Sequence, residues 1–400
     1  MKSCMTKVNN IFVPHIRKTV AHQIIEIKDF LFKRGEFIDN PGLMGGVGGE
    51  ILFFLYFYES FKDKNILRYA ISQVEKIISD YDYSKYGYSF AYGLSGIGWL
   101  INLMKRKNYI DSDTDDIFVD VDERIYNDSI NDFYKNDYDY LSGGLGAAIY
   151  FLNREVPLQE YIQQYLRIID GIKIIDNSSY YIHDSKAENA CNLGLSHGIP
   201  SIISFLIIAY EKEIEPGLCL KLIRGFVKFL IDNIQDVKKY DSFFAYSTGS
   251  TNKCSSRLAW CYGDLSIGFI LNKAATILNN TQILNISFDI LLHSTQRTDL
   301  SKNKVNDACI CHGTVGIAHI FNKLFKRTRN QQFKIAAEYW YQRTIEMGHF
   351  EDGIAGYKYY QNNNYYSAKG FLEGVAGIGT SLTFGFYNTD SIWDECLLLS

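Results

Sequence analysis

Three side chains in the second half of the chain have the types and spacing of a metal site. They are Cys261 in "RLAWCYGD" and Cys311 with His312 in "CHGTVG". Zinc favours cysteine sulfur and histidine nitrogen, and a catalytic zinc site keeps three protein ligands and an open fourth position. Cys261 has no second cysteine two or three residues away, as a structural zinc site usually would. Its partners are therefore sought fifty residues on, at Cys311 and His312. Two alternatives stay open. Cys309 could add a fourth ligand and close the site as structural, or the cysteines could be buried thiols without chemistry. Three further residues could do proton or charge chemistry nearby. His197, in "GLSHG", suits acid or base work, although a lone histidine at an apolar helix start is more often a core residue. Asp139, in "DYDYLSGG", could orient it, and Arg257 could hold an anionic centre. His319, seven residues after His312, reads as core.

These residues must be brought together by the elements that carry them. Seven segments share a glycine-rich turn followed by an apolar run of helical length. Anchored at Gly45, Gly93, Gly143, Gly198, Gly263, Gly313 and Gly374, they recur every 48 to 65 residues. A period of this size marks an array of supersecondary units. Between them lie amphipathic runs, as in residues 65–81, 222–234 and 334–348. Residues 65–81 place Ile66, Leu67, Ala70, Ile71, Val74, Ile77 and Ile78 on one helical face. Each unit thus pairs an amphipathic helix with one that is apolar on every side and must be covered on most of them. The prediction is an all-α, double-layered α/α toroid of seven inner and seven outer helices, with short strands in loops. One is a hairpin within residues 357–369, where asparagines separate aromatic runs. Glycines at the inner helix starts are expected to supply positive φ and close approach. The turns would then present their side chains at one end of the toroid. The even spacing predicts one domain over residues 1–400, with repeats from about 40 to 385 and no large insertion.

Composition narrows the function classes. A net charge of −4 without a basic stripe argues against a nucleic-acid partner. The start "MKSCMTKVNN" lacks an apolar signal core. The longest apolar run, residues 198–210, is 13 residues long, against the roughly 20 of a membrane span. Eight cysteines in a chain of this length, read as cytoplasmic, point to ligands or nucleophiles rather than disulfides. The acidic stretch Asp111 to Glu123 reads as a solvated loop or edge.

In "GLSHG", "RLAWCYGD", "CHGTVG" and "LEGVAGIG" (residues 372–379), together with the seven glycine turns, the chain resembles the lanthionine synthetase C-like family, the cyclases of lantibiotic biosynthesis. The resemblance runs from about residue 40 to 385. It implies zinc held by Cys261, Cys311 and His312. The acid/base histidine would fall on His197 and the functional aspartate on Asp139, with Asp137 an alternative. The arginine and tyrosine beside the first cysteine would be Arg257 and Tyr262. The implied reaction is Michael addition of a precursor-peptide cysteine thiol to dehydroalanine or dehydrobutyrine, closing a thioether ring. The implied partners are a dehydrated precursor peptide, a separate dehydratase and a transporter. The implied location is cytoplasmic, with membrane association through those partners. The chain departs from the family at Leu265 and Ser266, where Pro and Gly are usual, and at Ser201, where Gly is common.

Other functions compatible with the residues are thiol addition between molecules with glutathione as donor and a non-catalytic peptide-binding zinc scaffold. A different α/α-toroid enzyme is a third, such as a prenyltransferase subunit or a glycosidase using Asp139 with Glu373.

Overall fold

The computed structural model describes residues 14–33, 40–80, 85–110, 115–154, 158–185, 190–249, 253–387 and 389–400. Seven apolar helices form the inner layer: α2 (Val47–Phe61), α4 (Leu94–Arg106), α6 (Gly144–Leu152), α8 (Ile199–Glu211), α11 (Asp264–Ile277), α13 (Thr314–Thr328) and α15 (Val375–Tyr387). Each packs against the next, and α15 returns to α2, so the ring closes. The outer layer is α1 (Pro14–Phe32), α3 (Lys64–Asp80), α5 (Asp115–Tyr134), α7 (Gln159–Ile172), α9 (Pro216–Asp232), α12 (Thr281–Gln296) and α14 (Gln331–Glu346). Each outer helix from α3 on packs on the inner helix before it, α5 lies over both α4 and α6, and α1 covers α15 and α2. This is the double-layered α/α toroid that the glycine period predicts.

The sequence pattern explains the layers. Every residue of α6 and an unbroken stretch of α2 from Val47 to Phe57 are buried. In α3, by contrast, burial falls on Ile66, Ala70, Val74 and Ile77, the spacing of one helical face. Fully burying a Leu, Ile or Phe stabilises by about 1.5–3 kcal/mol, so the contact between layers dominates cohesion. Among the described residues, a small helix, α10 (Val237–Tyr240), two hairpins and a 3₁₀ turn (Ile392–Leu397) complete the elements. β1 (Ile174–Asp176) pairs with β2 (Ser179–Tyr181), and β3 (Tyr359–Gln361) with β4 (Asn364–Tyr366), both antiparallel. The second is the predicted hairpin. Asn362 and Asn363, at φ of 49° and 62°, supply the two left-handed residues that its tight turn requires.

Two expectations change. The glycines capping the inner helices are extended, at φ between −132° and −102° for Gly46, Gly93, Gly143, Gly198 and Gly313. Only Gly263, at φ 97°, occupies the left-handed region. Close approach is the commoner reason for glycine. The turn folds back so tightly that a Cβ on Gly198 would lie 2.1 Å from the Asn192 carbonyl oxygen. That carbonyl accepts the Ile199 N–H at 3.0 Å, and carbonyls six residues before the cap do the same for α2, α4, α6, α13 and α15. A backbone oxygen thus satisfies a helix-start donor that a capping side chain would otherwise take. In the first turn the cap is Gly46, one residue beyond Gly45. The second change concerns the acidic stretch. From Asp115 onward it is α5, and Asp122 is buried, 2.9 Å from the Arg154 guanidinium and 2.5 Å from the Tyr150 hydroxyl. A helix must cover α6 here, and Asp122 is on its covered side. Residues 111–114 lie outside the described residues.

The departures at Ser201 and Ser266 leave the helix starts intact. Each hydroxyl donates to the carbonyl of its capping glycine, at 2.7 Å and 3.2 Å.

Residues 392–399 pack against the inner helices. The 3₁₀ turn buries Trp393, Asp394, Cys396 and Leu397. Tyr140 donates to the Cys396 carbonyl, Trp260 Nε1 to that of Leu397, and the Trp393 N–H to Tyr56 Oη. The Asp394 carboxylate meets His319 Nε2 at 2.7 Å and Lys323 Nζ at 2.9 Å. His319 is therefore a core residue, as read from its sequence position. Removing one partner of a buried ion pair typically costs about 3–5 kcal/mol. Asp394→Ala should lower unfolding stability by about that amount in urea titration; a loss below about 1 kcal/mol would show that this cluster does not anchor the C-terminal segment.

Candidate functional site

The seven turns are stitched together by their backbones. Counting back from each capping glycine, the second residue is Met44, Ala91, Leu141, Ser196, Cys261, Cys311 or Leu372. Met44 N–H donates to Ala91 O, Ala91 to Leu141, Ser196 to Cys261, Cys261 to Cys311, Cys311 to Leu372, and Leu372 to Met44, over 2.8 to 3.3 Å. Cys261 and Cys311 are thus equivalent residues of adjacent turns, and one hydrogen bond of 3.2 Å fixes their separation. The next residue of each turn is Gly45, Tyr92, Ser142, His197, Tyr262, His312 or Glu373. All seven are at least partly accessible, whereas the preceding position is mostly buried. One end of the toroid therefore displays this second set above a ring made by the first.

Cys261, Cys311 and His312 present ligand atoms within 4.8 Å of one another. Two sulfurs and one imidazole at such spacing fit a zinc ion, whose bonds to them are about 2.3 and 2.0–2.1 Å. A second group, Asp307, Cys309 and His312, shares the histidine. The structure thus sets Cys309 with Asp307 rather than with the two other thiols. Burial pushes the Cys309 thiol up to about 12. The buried Asp307 carboxylate accepts the N–H groups of Cys309 and Tyr360, each at 2.9 Å, and lies 3.4 Å from His312 Nε2. Such a carboxylate commonly orients a metal-ligating histidine. The closeness of the two thiols favours a single shared thiolate, lowering Cys261 and raising Cys311. His312, Arg257 and His197 add positive charge that further favours the Cys261 anion.

Between the third and fourth turns the stitching changes. Leu141 N–H donates to Asp139 Oδ1 at 2.8 Å, joined by Ser142 N–H at 2.9 Å, while Asp139 Oδ2 meets His197 Nδ1 at 2.7 Å. A side-chain pair spans the interval that a backbone hydrogen bond spans elsewhere. Asp139, not Asp137, is the partner of His197; the Asp137 carbonyl instead accepts the Gly144 N–H. Tyr262 lies beside His197, ring centroids 5.9 Å apart, and edge-on to Tyr246 at 5.4 Å. The Arg257 backbone N–H donates to Tyr246 Oη at 3.0 Å; burial opposes the guanidinium charge, but Cys261 and Tyr246 more than offset that. The sequence-predicted residues His197, Asp139, Arg257, Tyr262, Cys261, Cys311 and His312 are thus brought to one end of the ring.

Several neighbours were not foreseen: Asn192, Tyr246, Asp307 and, on β3, Tyr359, whose ring lies 5.9 Å from that of His312. Asn192 and Asp307 carried a usable signal. Both stand six residues before a capping glycine, as does Asn40. In all three the side-chain oxygen accepts the N–H two residues on.

A closed α/α toroid with a Cys–Cys–His group and a His–Asp pair at the same end defines a class of protein, and sequence comparison agrees. The model of the family described as lanthionine synthetase C-like protein matches residues 23–398, and the chain belongs to that family. It is accordingly an enzyme of the carbon–sulfur bond-forming cyclase class. Among relatives it is similar to the nisin biosynthesis protein NisC of Lactococcus lactis subsp. lactis, 24% identical over 318 residues, 74% of this chain and 72% of that one. It is also similar to the lacticin 481/lactococcin biosynthesis protein LcnDR2 of the same organism, 23% identical over 392 residues, covering 92% of this chain but 38% of that longer protein. Among solved structures, nisin cyclase superposes with a TM-score of 0.72 at 19% identity, over 97% of this chain and 98% of that one. No helix among the described residues is long and apolar enough to cross a membrane.

Proposed function

We propose that this chain is a zinc-dependent lanthionine cyclase. It would join cysteine thiols of a dehydrated precursor peptide to dehydroalanine or dehydrobutyrine residues of the same peptide. The supporting observation is the convergence of two independent groups, the Cys261–Cys311–His312 triad and the His197–Asp139 pair, at one end of the ring. Cys261, Cys311 and His312 would hold the ion. An ion held there would supply Lewis acidity, lowering the pKa of a substrate thiol from its free value of about 8.5.

The remaining chemistry belongs to the chain. The sulfur adds to the alkene Cβ, the π bond opens towards the carbonyl, and the negative charge is carried as an enolate. The thiol proton leaves and a proton is delivered to Cα, so the net change is addition of S–H with no oxidant. His197 is placed to move these protons. Asp139 holds Nδ1, which directs the other ring nitrogen, Nε2, to the exchange. Arg257 and Tyr262 flank the same space and can stabilise the enolate oxygen. The toroid would act as a single cyclase domain, after a separate dehydratase and before a transporter, in the cytoplasm and at the membrane only through such partners.

Incubation with a peptide carrying dehydroamino acids and cysteines should consume free thiols without changing peptide mass, and much faster with the protein than without it. Glutathione adducts instead of rings would favour thiol addition between molecules. Asp307 supplies a second test. Asp307→Asn keeps an acceptor for the Cys309 N–H but weakens the hold on His312. Zinc affinity should fall by about 10–100-fold in competition with a chelator, with the melting temperature measured alongside on zinc-loaded protein. Unchanged zinc affinity would contradict the orienting role.

A further inference from the structure

Tyr262 can serve the enolate only if its single phenolic proton points away from its neighbours. The structure shows what decides this. Asn192 Nδ2 lies 2.9 Å from Tyr262 Oη, and Asn192 Oδ1 lies 2.8 Å from the Gly194 N–H. A backbone N–H can only donate, so the amide atom facing Gly194 must be the oxygen. The atom facing Tyr262 is then the amide nitrogen, which also only donates. Tyr262 Oη therefore accepts from Asn192, and its own proton must go to another acceptor.

We propose that Asn192 is a positioning residue for the reaction, one that fixes Tyr262 as a hydrogen-bond donor towards the bound peptide. The inference rests on the cyclase reading above.

The surroundings hold this arrangement firmly. The Asn192 carbonyl caps α8 through the Ile199 N–H, and Asn192 forms an antiparallel bridge with Ser247. Neither its backbone nor its amide plane can turn without breaking the fourth turn. The Tyr262 ring lies over Gly194, where a Cβ would come within 2.6 Å of Cε1. A residue with any side chain there would displace the ring, which Tyr246 supports from the other direction. A neutral donor fixed in advance gains strength as charge develops on the substrate oxygen, with no reorganisation needed at that moment. Asp307 follows the same design six residues before its own glycine: one side-chain atom serves the turn and the other faces a site residue.

Asn192→Asp separates this role from a packing role. The carboxylate still accepts the Gly194 N–H, so the turn keeps its bond. Its second oxygen can only accept, and it draws the Tyr262 proton to itself. Turnover should fall by about 10²-fold, as for loss of one such donor, with KM little changed, and by about as much as in Tyr262→Phe. The double variant should be no slower than Tyr262→Phe alone. Losses that multiply in the double variant would overturn the proposal.

A second readout does not depend on turnover. If Asn192 donates to Tyr262 Oη, its side-chain amide proton should exchange slowly with water in the wild type. That protection should be lost in Tyr262→Phe at matched zinc content and melting temperature. An Asn192 amide that exchanges equally fast in both proteins would overturn the proposal. If the wild type makes no thioether, the cyclase reading fails, while a protected amide would still establish that Asn192 donates to Tyr262.

Discussion

Cys261→Ala and Cys311→Ala should each reduce bound zinc from one ion per chain to a small fraction, and ring closure should fall to the enzyme-free rate. Each loss removes one of three protein ligands and half of the thiolate charge that neutralises the ion. A lone cysteine with a histidine is a poor zinc site. The two variants should behave alike, because the cysteines are equivalent residues of adjacent turns joined by the Cys261 N–H to Cys311 O bond. Both side chains are buried and small, so the toroid should survive. Elemental analysis after dialysis, with circular dichroism on the same samples, makes the measurement. Full zinc occupancy in both variants would refute the ligand assignment.

His197→Asn should retain zinc and fold and slow cyclisation by about 10²–10⁴-fold, the usual range for loss of general acid or base help. The reason lies in the Asp139 carboxylate, whose two oxygens are divided between its own turn and His197 Nδ1. The imidazole is held in one orientation and backed by a negative charge when it carries a second proton. Asparagine can keep a hydrogen bond to Asp139 but cannot transfer a proton at neutral pH. The pH–rate profile should lose the limb that His197 contributes. Some rate should remain above the control, since thiol activation and positioning survive. Equal rates for wild type and variant at matched zinc content would remove His197 from the mechanism.

The glycine period was legible because a repeat leaves the same residue at the same place many times. It gave the toroid, the inner and outer layers and the grouping of Cys261 with Cys311 and His312. The hairpin of β3 and β4 was legible because a run of asparagines between tyrosine runs fits few other turns. What the sequence did not show depends on contacts between turns. Nothing in "DYDYLSGG" says that Leu141 N–H will turn to Asp139 instead of to the fourth turn. Nor does it select Asp139 over Asp137, since both lie within reach of a turn backbone and only the three-dimensional arrangement brings one to His197. The roles of Asn192 and Asp307 were hidden for a related reason. An asparagine or aspartate before a glycine turn is ordinary turn chemistry, and the second use of its side chain appears only when its neighbour is known. The expected left-handed glycines were wrong at five caps because a repeated glycine can equally mean that a backbone oxygen occupies the place of Cβ.

The most direct test of the cyclase reading uses a peptide with one dehydroalanine and one cysteine at ring-forming distance. Free thiol is counted by alkylation and mass spectrometry over time, with wild-type protein, with zinc-stripped protein and with none. The proposed function predicts rapid loss of the alkylatable thiol at constant peptide mass with the wild type alone, restored to the stripped protein by added zinc. Thiol loss at the same rate in all three samples would contradict it.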